Sequence, residues 1–309
     1  MVPGPIKGYL CVMTAAVMWA SSGVVGKALF SNGITPFELV QVRVTVSTLL
    51  LAIVFGWFRR DLIKIRSGDL GYFLLLGGVA MAMVQITYFY AISKIHVAAA
   101  IFLQYLAVSL VAIFSICFWK ERLTLLKSFS VCLALAGCYL MVGGYNLHFL
   151  QMNWVGIVSG LISAFCFAGY TLIGERGMHR YSPWTVLFYA FLFATLTWHI
   201  VYPPFHYLTA GYALSAWCGL LYVSVVGTVL PFGLFFVGVN YIRSTRAAIT
   251  ATLEPVSAGF LAYFFLNERL EPLQVLGGVM VVWAIVLLQL RRERDERAPE
   301  HIRSSLGDL

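Results

Sequence analysis

One carboxylate lies inside an apolar run that is long enough to cross a membrane. The run covers residues 246–270, and it contains Glu254 followed directly by Pro255. An acid surrounded by hydrocarbon is costly and marks a functional site by default. Pro255 lacks an N–H and frees a backbone carbonyl one turn earlier, which is tolerated only where protein or a water-filled cavity covers it. Glu254 is therefore the first candidate for chemistry, as a counter-charge for a solute, as a carrier of a coupling proton, or as half of a structural ion pair.

Other polar and aromatic side chains recur at spacings that place them on one helix face. Residues three positions apart are neighbours on a helix, as are Trp19 and Ser22, and Gln85 and Tyr88. Core packing and hydrogen bonds between helices are the ordinary alternatives for such residues. Aromatic faces attract alkylammonium groups, so an acid among Trp and Tyr favours a cationic or zwitterionic solute. The predicted substrate-binding residues are Trp19, Ser22, Gln85, Tyr88, Gln104, Tyr105, Phe167, Tyr170 and Glu254.

The composition excludes a soluble protein. The chain has 309 residues, of which 61% are hydrophobic and only 11% are charged, whereas soluble domains carry about 25% charged residues. We therefore predict an all-α polytopic membrane protein whose surroundings are the lipid bilayer. The net charge of +8 predicts no nucleic-acid partner, because membrane proteins collect Lys and Arg on the cytoplasmic side.

Ten apolar segments have the length of about 20 residues that a spanning helix needs. An N-terminus inside the cell places 17 of the 21 Lys and Arg residues on the cytoplasmic side, among them Arg243 and Arg246 in a turn before helix nine. This predicts an inner (plasma) membrane protein with both termini cytoplasmic and a largely disordered polar tail. The ten segments are 7–30, 36–58, 70–92, 97–119, 126–143, 152–174, 183–202, 212–239, 246–266 and 272–290.

The chain repeats itself after about 147 residues. That shift superimposes the two Glu-Arg-Leu sequences at 121–123 and 268–270, and a shift of 148 superimposes Gly26 on Gly174. The predicted units are a first five-helix repeat at 1–148, a second at 149–290 and a polar cytoplasmic tail at 291–309. Five helices are an odd number, so the second repeat is predicted to be inverted. Inverted repeats are a transporter architecture with the substrate site where the halves meet.

These features together resemble the EamA-type drug/metabolite transporter superfamily. The resemblance rests on Trp19-Ala20 and Phe167-Ala168 in the first helix of each repeat, on Leu253-Glu254-Pro255 in helix nine, and on the two Glu-Arg-Leu turns. It implies ten helices and alternating access to one central cavity. The family often has Tyr-Leu-x-Pro in helix four, but this chain has Tyr-Leu-Ala-Val at 105–108, so only helix nine clearly keeps a kink.

We therefore expect a secondary transporter that moves a small organic solute such as an amine, a choline-like compound or an amino acid. Two alternatives stay open: an exporter of neutral solutes such as nucleosides or sugars, and a non-transporting membrane scaffold. No catalytic constellation and no metal-ligand spacing is evident among the His, Cys, Asp and Glu residues, so we predict no enzyme, no metal and no cofactor. The substrate, the direction of transport and the oligomeric state stay open.

Overall fold

The structure, a computed structural model, is built from helices throughout the part of the chain that it describes. It describes residues 4–119, 124–145, 153–209, 211–266, 271–290 and 298–307. The two Glu-Arg-Leu turns and Arg291, Arg292, Arg294 and Arg297 of the tail, which the sequence places on the membrane surface, lie outside these residues.

Two membrane-length segments contain π-helical stretches, Leu74–Met81 between α3 and α4 and Val225–Val229 between α11 and α12. Short 3-10 turns at Arg60–Ile63 and Ser67–Asp69 follow α2. The helices are α1 (Gly4–Ser31), α2 (Pro36–Phe58), α3 (Leu70–Phe73), α4 (Ala82–Lys94), α5 (Val97–Tyr105), α6 (Ala107–Trp119), α7 (Leu125–Met141), α8 (Trp154–Met178), α9 (Pro183–Val201), α10 (His206–Thr209), α11 (Leu214–Ser224), α12 (Leu230–Ala251), α13 (Leu253–Leu266), α14 (Pro272–Leu290) and α15 (Pro299–Gly307).

Prolines mark helix starts. Pro36, Pro183 and Pro272 are the first residues of α2, α9 and α14, where a missing N–H costs nothing. Before α2, the Thr35 hydroxyl accepts a hydrogen bond from the Glu38 N–H, and the Glu38 carboxylate accepts one from the Thr35 N–H. This capping box holds the Glu38 carboxylate at the start of α2.

The structure does not establish ten spanning helices. Within the described residues, seven helical segments are long and apolar enough to cross a membrane, and Leu125–Met141 and Pro272–Leu288 are shorter apolar helices. The predicted turn between helices eight and nine coincides with a break in the run Leu214–Ala251, because Arg243 has non-helical backbone angles (φ 65°, ψ 169°) and two helices meet there. Arg243 and Arg246 are only 4% and 6% exposed, so this turn is buried and they are not residues of an exposed loop.

A buried carboxylate explains why Arg243 can leave water. Arg243 Nε donates to Glu175 Oε1 at 3.1 Å, and the Ser244 N–H donates to Glu175 Oε2 at 2.7 Å. Arg243 has a left-handed backbone, with φ of 65°, which interrupts the helical geometry of α12. Glu175 therefore neutralises the guanidinium and also satisfies an N–H where the helix resumes, a place that favours negative charge.

The two halves pack in the same way at equivalent positions. A Cβ on Gly26 would meet the Phe89 ring at 2.6 Å, and a Cβ on Gly174 would meet the Phe236 ring at 2.5 Å. Gly26 and Gly174 are 148 residues apart, and Phe89 and Phe236 are 147 apart. Only glycine permits this close approach of the first helix of each repeat to the third, which supports a two-repeat architecture.

The residues that follow these two glycines have side chains of opposite charge type, a lysine in the first repeat and a glutamate in the second. Lys27 Nζ donates to the carbonyl of Ile92 at 2.7 Å, near the C-terminus of α4. Its repeat partner is Glu175, 148 residues later, which accepts from the Ser244 N–H. A cation at a helix C-terminus and an anion at a helix N-terminus are both favourable, so one repeat position stabilises the opposite ends of two helices.

Helix four is locally distorted at Leu106 although it lacks the proline. Leu106 separates α5 from α6, and Thr252 separates α12 from α13. In both breaks an N–H bonds to the carbonyl three residues earlier, Leu106 to Leu103 at 3.2 Å and Thr252 to Ile249 at 3.2 Å. A tight turn of this kind therefore occurs in both helices, with proline beside only one of them, and helix four still forms one apolar span over Ala99–Cys117.

The tail is more ordered than predicted. Residues 299–307 form α15, and Arg303 Nη1 donates to the carbonyls of Met178 and Tyr181 at 2.8 and 2.9 Å. These two carbonyls lie at the last residue of α8 and three residues beyond it, where backbone oxygens lack helical partners. A basic side chain that binds them holds the tail against the bundle, so the prediction of disorder is wrong for this part of the tail.

The Glu175–Arg243 pair generates a stability prediction. Glu175→Gln removes the charge opposite a buried guanidinium, so we expect the free energy of unfolding to fall by about 3 kcal/mol or more. The measurement is chemical or thermal unfolding of the purified protein in detergent. The double variant Glu175→Gln, Arg243→Met should recover much of the loss, because it leaves neither charge unpaired.

The matched control is Arg59→Gln. Arg59 pairs with Asp61 at 3.0 Å, but both side chains are 61% exposed, and exposed pairs contribute little. Its unfolding transition should coincide with that of the wild type. Equal effects of Glu175→Gln and Arg59→Gln would contradict a structural role for the buried pair.

Candidate substrate-binding cavity

A small cavity lies among the first helices of both repeats, α2, α4, the two broken helices and α12. Its volume is about 30 Å³, which accommodates about two water molecules. An organic solute therefore enters only if the surrounding helices move apart. The lining residues are Trp19, Ser22, Arg43, Val84, Gln85, Tyr88, Phe89, Gln104, Tyr105, Phe167, Phe232 and Glu254.

The Glu254 carboxylate is held by two tyrosines from the other repeat. Tyr105 Oη lies 2.8 Å from Glu254 Oε2, and Tyr88 Oη donates to Glu254 Oε1 at 3.4 Å. Glu254 is 3% exposed and lies in the first turn of α13. The Tyr105 hydroxyl has one proton and also lies within hydrogen-bond distance of the Ala251 carbonyl, so the Tyr105 contact is compatible with either protonation state of Glu254. The two hydroxyls and the helix N-terminus position the carboxyl group at the cavity.

The same tyrosine satisfies the carbonyl that Pro255 releases. A helical residue bonds to the carbonyl four positions earlier, which for position 255 is Ala251. Tyr105 Oη lies 2.7 Å from the Ala251 carbonyl oxygen. The side chain at the end of α5 therefore covers the break between α12 and α13, and one hydroxyl joins the two interrupted helices.

An aromatic cluster forms the opposite wall. The Trp19 ring lies 5.0 Å from the Phe232 ring, 5.4 Å from the Phe235 ring and 6.1 Å from the Phe167 ring, measured between centroids. These are edge-to-face or tilted contacts, which are favourable for aromatic pairs. Trp19 belongs to the first repeat and the three phenylalanines to the second, so the cluster joins the halves.

Several hydrogen-bonding groups at the cavity are not committed to protein. Trp19 Nε1 and Ser22 Oγ are buried without a hydrogen-bond partner among the described residues. The amides differ: Gln104 Nε2 donates to Ser163 Oγ at 2.9 Å, whereas Gln85 Nε2 has only the Met81 sulfur at 3.5 Å. Buried polar groups are normally bonded, so the free groups suit a polar ligand.

The two repeats contribute different chemistry at equivalent positions. Gln85 corresponds to Phe232 and Tyr88 to Phe235 under the shift of 147 residues. Glu254 corresponds to Ala107. The first repeat thus supplies hydrogen-bonding side chains from its third helix, and the second supplies aromatic rings from its third helix and the acid.

Eight of the nine predicted residues line this cavity, and Tyr170 does not. The Tyr170 ring stacks on Phe236 at 4.8 Å, with 13° between the planes, and packs between α8 and α12. Its repeat partner is the small Ser22, which reaches the cavity; a tyrosine ring is too long for that place and fills the helix interface. The role of the other eight in solute binding stays a prediction.

Sequence reasoning did not select four of the lining residues, Arg43, Val84, Phe89 and Phe232. The repeat contains a signal for Phe232, since it corresponds to the selected Gln85. Phe89 follows Tyr88 directly and corresponds to Phe236 under the shift of 147 residues. Arg43 has no acidic partner there, because no described carboxylate lies within 4.0 Å of its nitrogens.

Arg43 is held instead by uncharged groups. Its Nε donates to Thr228 Oγ1 at 2.8 Å and its Nη2 to the Gly227 carbonyl at 3.1 Å. The guanidinium carbon lies 4.5 Å from the centre of the Phe89 ring, a cation–π contact. The side chain is 2% exposed, so the cavity contains a buried guanidinium as well as a buried carboxyl group.

A bundle of apolar helices, interrupted at two places around a polar cavity, defines a polytopic membrane transporter. A family model confirms this class: the EamA-like transporter family matches residues 6–143 and again residues 154–290. The chain belongs to this family, with its two-repeat architecture, and is a multi-pass inner membrane protein.

Relatives of known name support the same class. The chain is 27% identical to the uncharacterized inner membrane transporter YicL of Salmonella typhimurium, over 94% of this chain and 98% of YicL. It is 26% identical to the riboflavin transporter ImpX of Fusobacterium nucleatum, over 91% and 97%. A crystal structure with 17% identity matches with a TM-score of 0.72 over 92% of this chain and 97% of that one, which supports the fold.

The tyrosines of the two repeats differ in a measurable way. Tyr105→Phe leaves the Ala251 carbonyl unpaired and removes a hydrogen-bond partner of Glu254, so we expect a loss of about 1–3 kcal/mol in the free energy of unfolding. Tyr170→Phe is the matched control, because Tyr170 Oη is buried without a partner among the described residues. Removing an unsatisfied hydroxyl should leave stability unchanged or raise it.

Unfolding of both variants in the same detergent checks this difference. A Tyr105→Phe protein as stable as Tyr170→Phe would show that the hydroxyl does not join the two broken helices.

Proposed function

We propose that the protein is a secondary transporter that moves a small organic solute bearing an ammonium group by alternating access. The observation that carries the proposal is the buried Glu254 carboxylate beside an aromatic wall, in a cavity to which both repeats contribute. A carboxylate neutralises an ammonium group, and aromatic faces attract its alkyl substituents. An amine, a choline-like compound or an amino acid has this chemistry.

The proposed mechanism uses the repeats as opposing halves. Each repeat has five predicted helices, so the second is inverted relative to the first, with both termini cytoplasmic. Two interrupted helices at the junction are typical of transporter binding sites. Rocking of one half against the other would enlarge the small cavity toward one side of the membrane and then toward the other.

A neutral flat heterocycle is the second candidate solute. Trp19, Phe167 and Phe232 offer faces and edges for stacking. The Fusobacterium relative is named a riboflavin transporter. Riboflavin is uncharged at neutral pH, so its binding would not depend on the charge of Glu254.

Binding to the purified protein tests these candidates. A native-state ligand raises the melting temperature by mass action, so amines, choline, amino acids, nucleosides, sugars and riboflavin are compared on the wild type and on Glu254→Gln. We expect an ammonium-bearing ligand to stabilise the wild type and to bind at least about tenfold more weakly to the variant, because the charge-assisted contact is lost. Asp61→Asn, an exposed acid away from the cavity, is the control and should respond as the wild type does.

Each outcome has one meaning. If the best ligand is uncharged, or if Glu254→Gln binds ammonium ligands as well as the wild type, the ammonium proposal is wrong. Riboflavin as the best ligand would establish the second candidate. Conversion of a ligand to another chemical species would indicate an enzyme and contradict transport.

Transport in liposomes separates the two chemical roles of Glu254. As a counter-charge, Glu254 is needed for every step that involves the solute, so Glu254→Gln should lose both solute exchange and accumulation. As a carrier of a coupling proton, it is needed only for coupling, so the variant should keep exchange and lose accumulation driven by a pH gradient. We expect the first result, since the Glu254 carboxyl group lines the cavity beside the aromatic wall that would bind the alkyl part of the solute.

A further inference from the structure

The cavity carries a buried guanidinium and a buried carboxyl group that do not contact each other. Arg43 and Glu254 both line it and are 2% and 3% exposed. No contact within 4.0 Å joins the guanidinium to the carboxylate. Burying a charge without a counter-charge is costly. Arg243 is buried but paired with Glu175, whereas Arg43 is buried without an acidic partner among the described residues.

Arg43 still has hydrogen-bonding capacity toward the cavity. A guanidinium has five N–H donors, of which the protein uses one on Nε and one on Nη2. No described residue accepts from Nη1. This nitrogen is also absent from the buried atoms that lack a partner, so it borders the open space of the cavity that Arg43 lines.

The orientation of the Arg43 guanidinium is fixed by the stretch Val225–Val229, which belongs to the third helix of the second repeat. The Thr228 hydroxyl donates to the Val223 carbonyl at 2.7 Å and accepts from Arg43 Nε at 2.8 Å. The Phe89 ring supports the guanidinium plane at 4.5 Å. A planar, preorganised fork of this kind suits a carboxylate, which it can bind with two parallel hydrogen bonds.

We propose that Arg43 is a specificity-determining residue that binds a carboxylate of the transported solute, while Glu254 binds its ammonium group. The solute is then a zwitterion, which brings no net charge into the apolar bundle and pairs with both buried charges. The remaining walls, Val84, Phe167 and Phe232, suit an apolar side chain. This inference rests on the proposed function, because it adds a second contact to the same cavity.

Matched ligand series test the assignment. Leucine and phenylalanine are compared with their amides, which keep the ammonium group and lack the carboxylate, and with their N-acetyl derivatives, which keep only the carboxylate; betaine is compared with choline. Melting-temperature titrations give the affinity ratio of each acid to its amide. For the wild type we expect the zwitterion to bind at least about tenfold more tightly than the amide, since a hydrogen bond to a charged group contributes that much.

Variants then assign the preference to Arg43. Arg43→Gln should bring the zwitterion-to-amide ratio close to one and leave binding of the amide near its wild-type value, whereas Glu254→Gln should weaken the amide as well. Thr228→Val keeps the cation but removes the hydroxyl that orients it, so it should give an intermediate ratio. If Arg43→Gln does not fold, Arg43→Lys replaces it in the experiment. Arg43→Lys keeps the positive charge but lacks the planar guanidinium, so it should retain only part of the preference for the zwitterion over the amide.

The outcomes separate this inference from the proposed function. If no ammonium-bearing ligand binds the wild type, both fail. If amines and amides bind the wild type as tightly as the zwitterions, the ammonium contact stands and the Arg43 contact is wrong. If Arg43→Gln weakens zwitterion and amide by the same factor, Arg43 supports the fold of the cavity and does not determine specificity.

Discussion

The hydroxyl of Tyr105 is the contact on which the rest of the cavity depends. It lies 2.7 Å from the Ala251 carbonyl and 2.8 Å from the Glu254 carboxylate. In a bilayer every freed backbone group needs a partner inside the protein, so the break that Pro255 forces in helix nine exists only because another helix covers it. That covering side chain comes from the broken helix of the first repeat. One side chain thus satisfies the backbone, holds the acid and joins the two repeats.

The repeats have the same packing but different chemistry. Gly26 against Phe89 and Gly174 against Phe236 show the same close approach of first and third helices in each half. At the cavity, however, Gln85 and Tyr88 of one repeat correspond to Phe232 and Phe235 of the other. A duplicated scaffold with unlike side chains gives one cavity with a hydrogen-bonding wall and an aromatic wall. Such a cavity can orient a solute that has a polar end and an apolar end.

Charges inside the bundle are handled in two distinct ways. Arg243 is paired with Glu175, which also binds the backbone where α12 resumes its helical course. Arg43 and Glu254 are held by neutral groups, namely Thr228, the Gly227 carbonyl and the two tyrosines. The Arg243–Glu175 pair is satisfied by the protein alone, whereas Arg43 and Glu254 have no oppositely charged partner within 4.0 Å among the described residues. This difference separates the structural charges from those that are candidates for recognition.

The sequence alone determined the class, the repeat and most helix limits. Hydrophobic length, proline at helix starts and a shift of about 147 residues are local or periodic properties, so α2, α9 and α14 begin at the predicted prolines. Helical spacing also selected eight of the twelve cavity residues. Only the tertiary structure decided the rest. Arg243 lies at a break as expected, but its burial depends on Glu175, which is 68 positions away. Tyr170 left the cavity because its ring fits between two helices. Arg43 lines the cavity because Thr228 and Gly227, which belong to a distant segment, hold its guanidinium. No pattern within one helix contains that information.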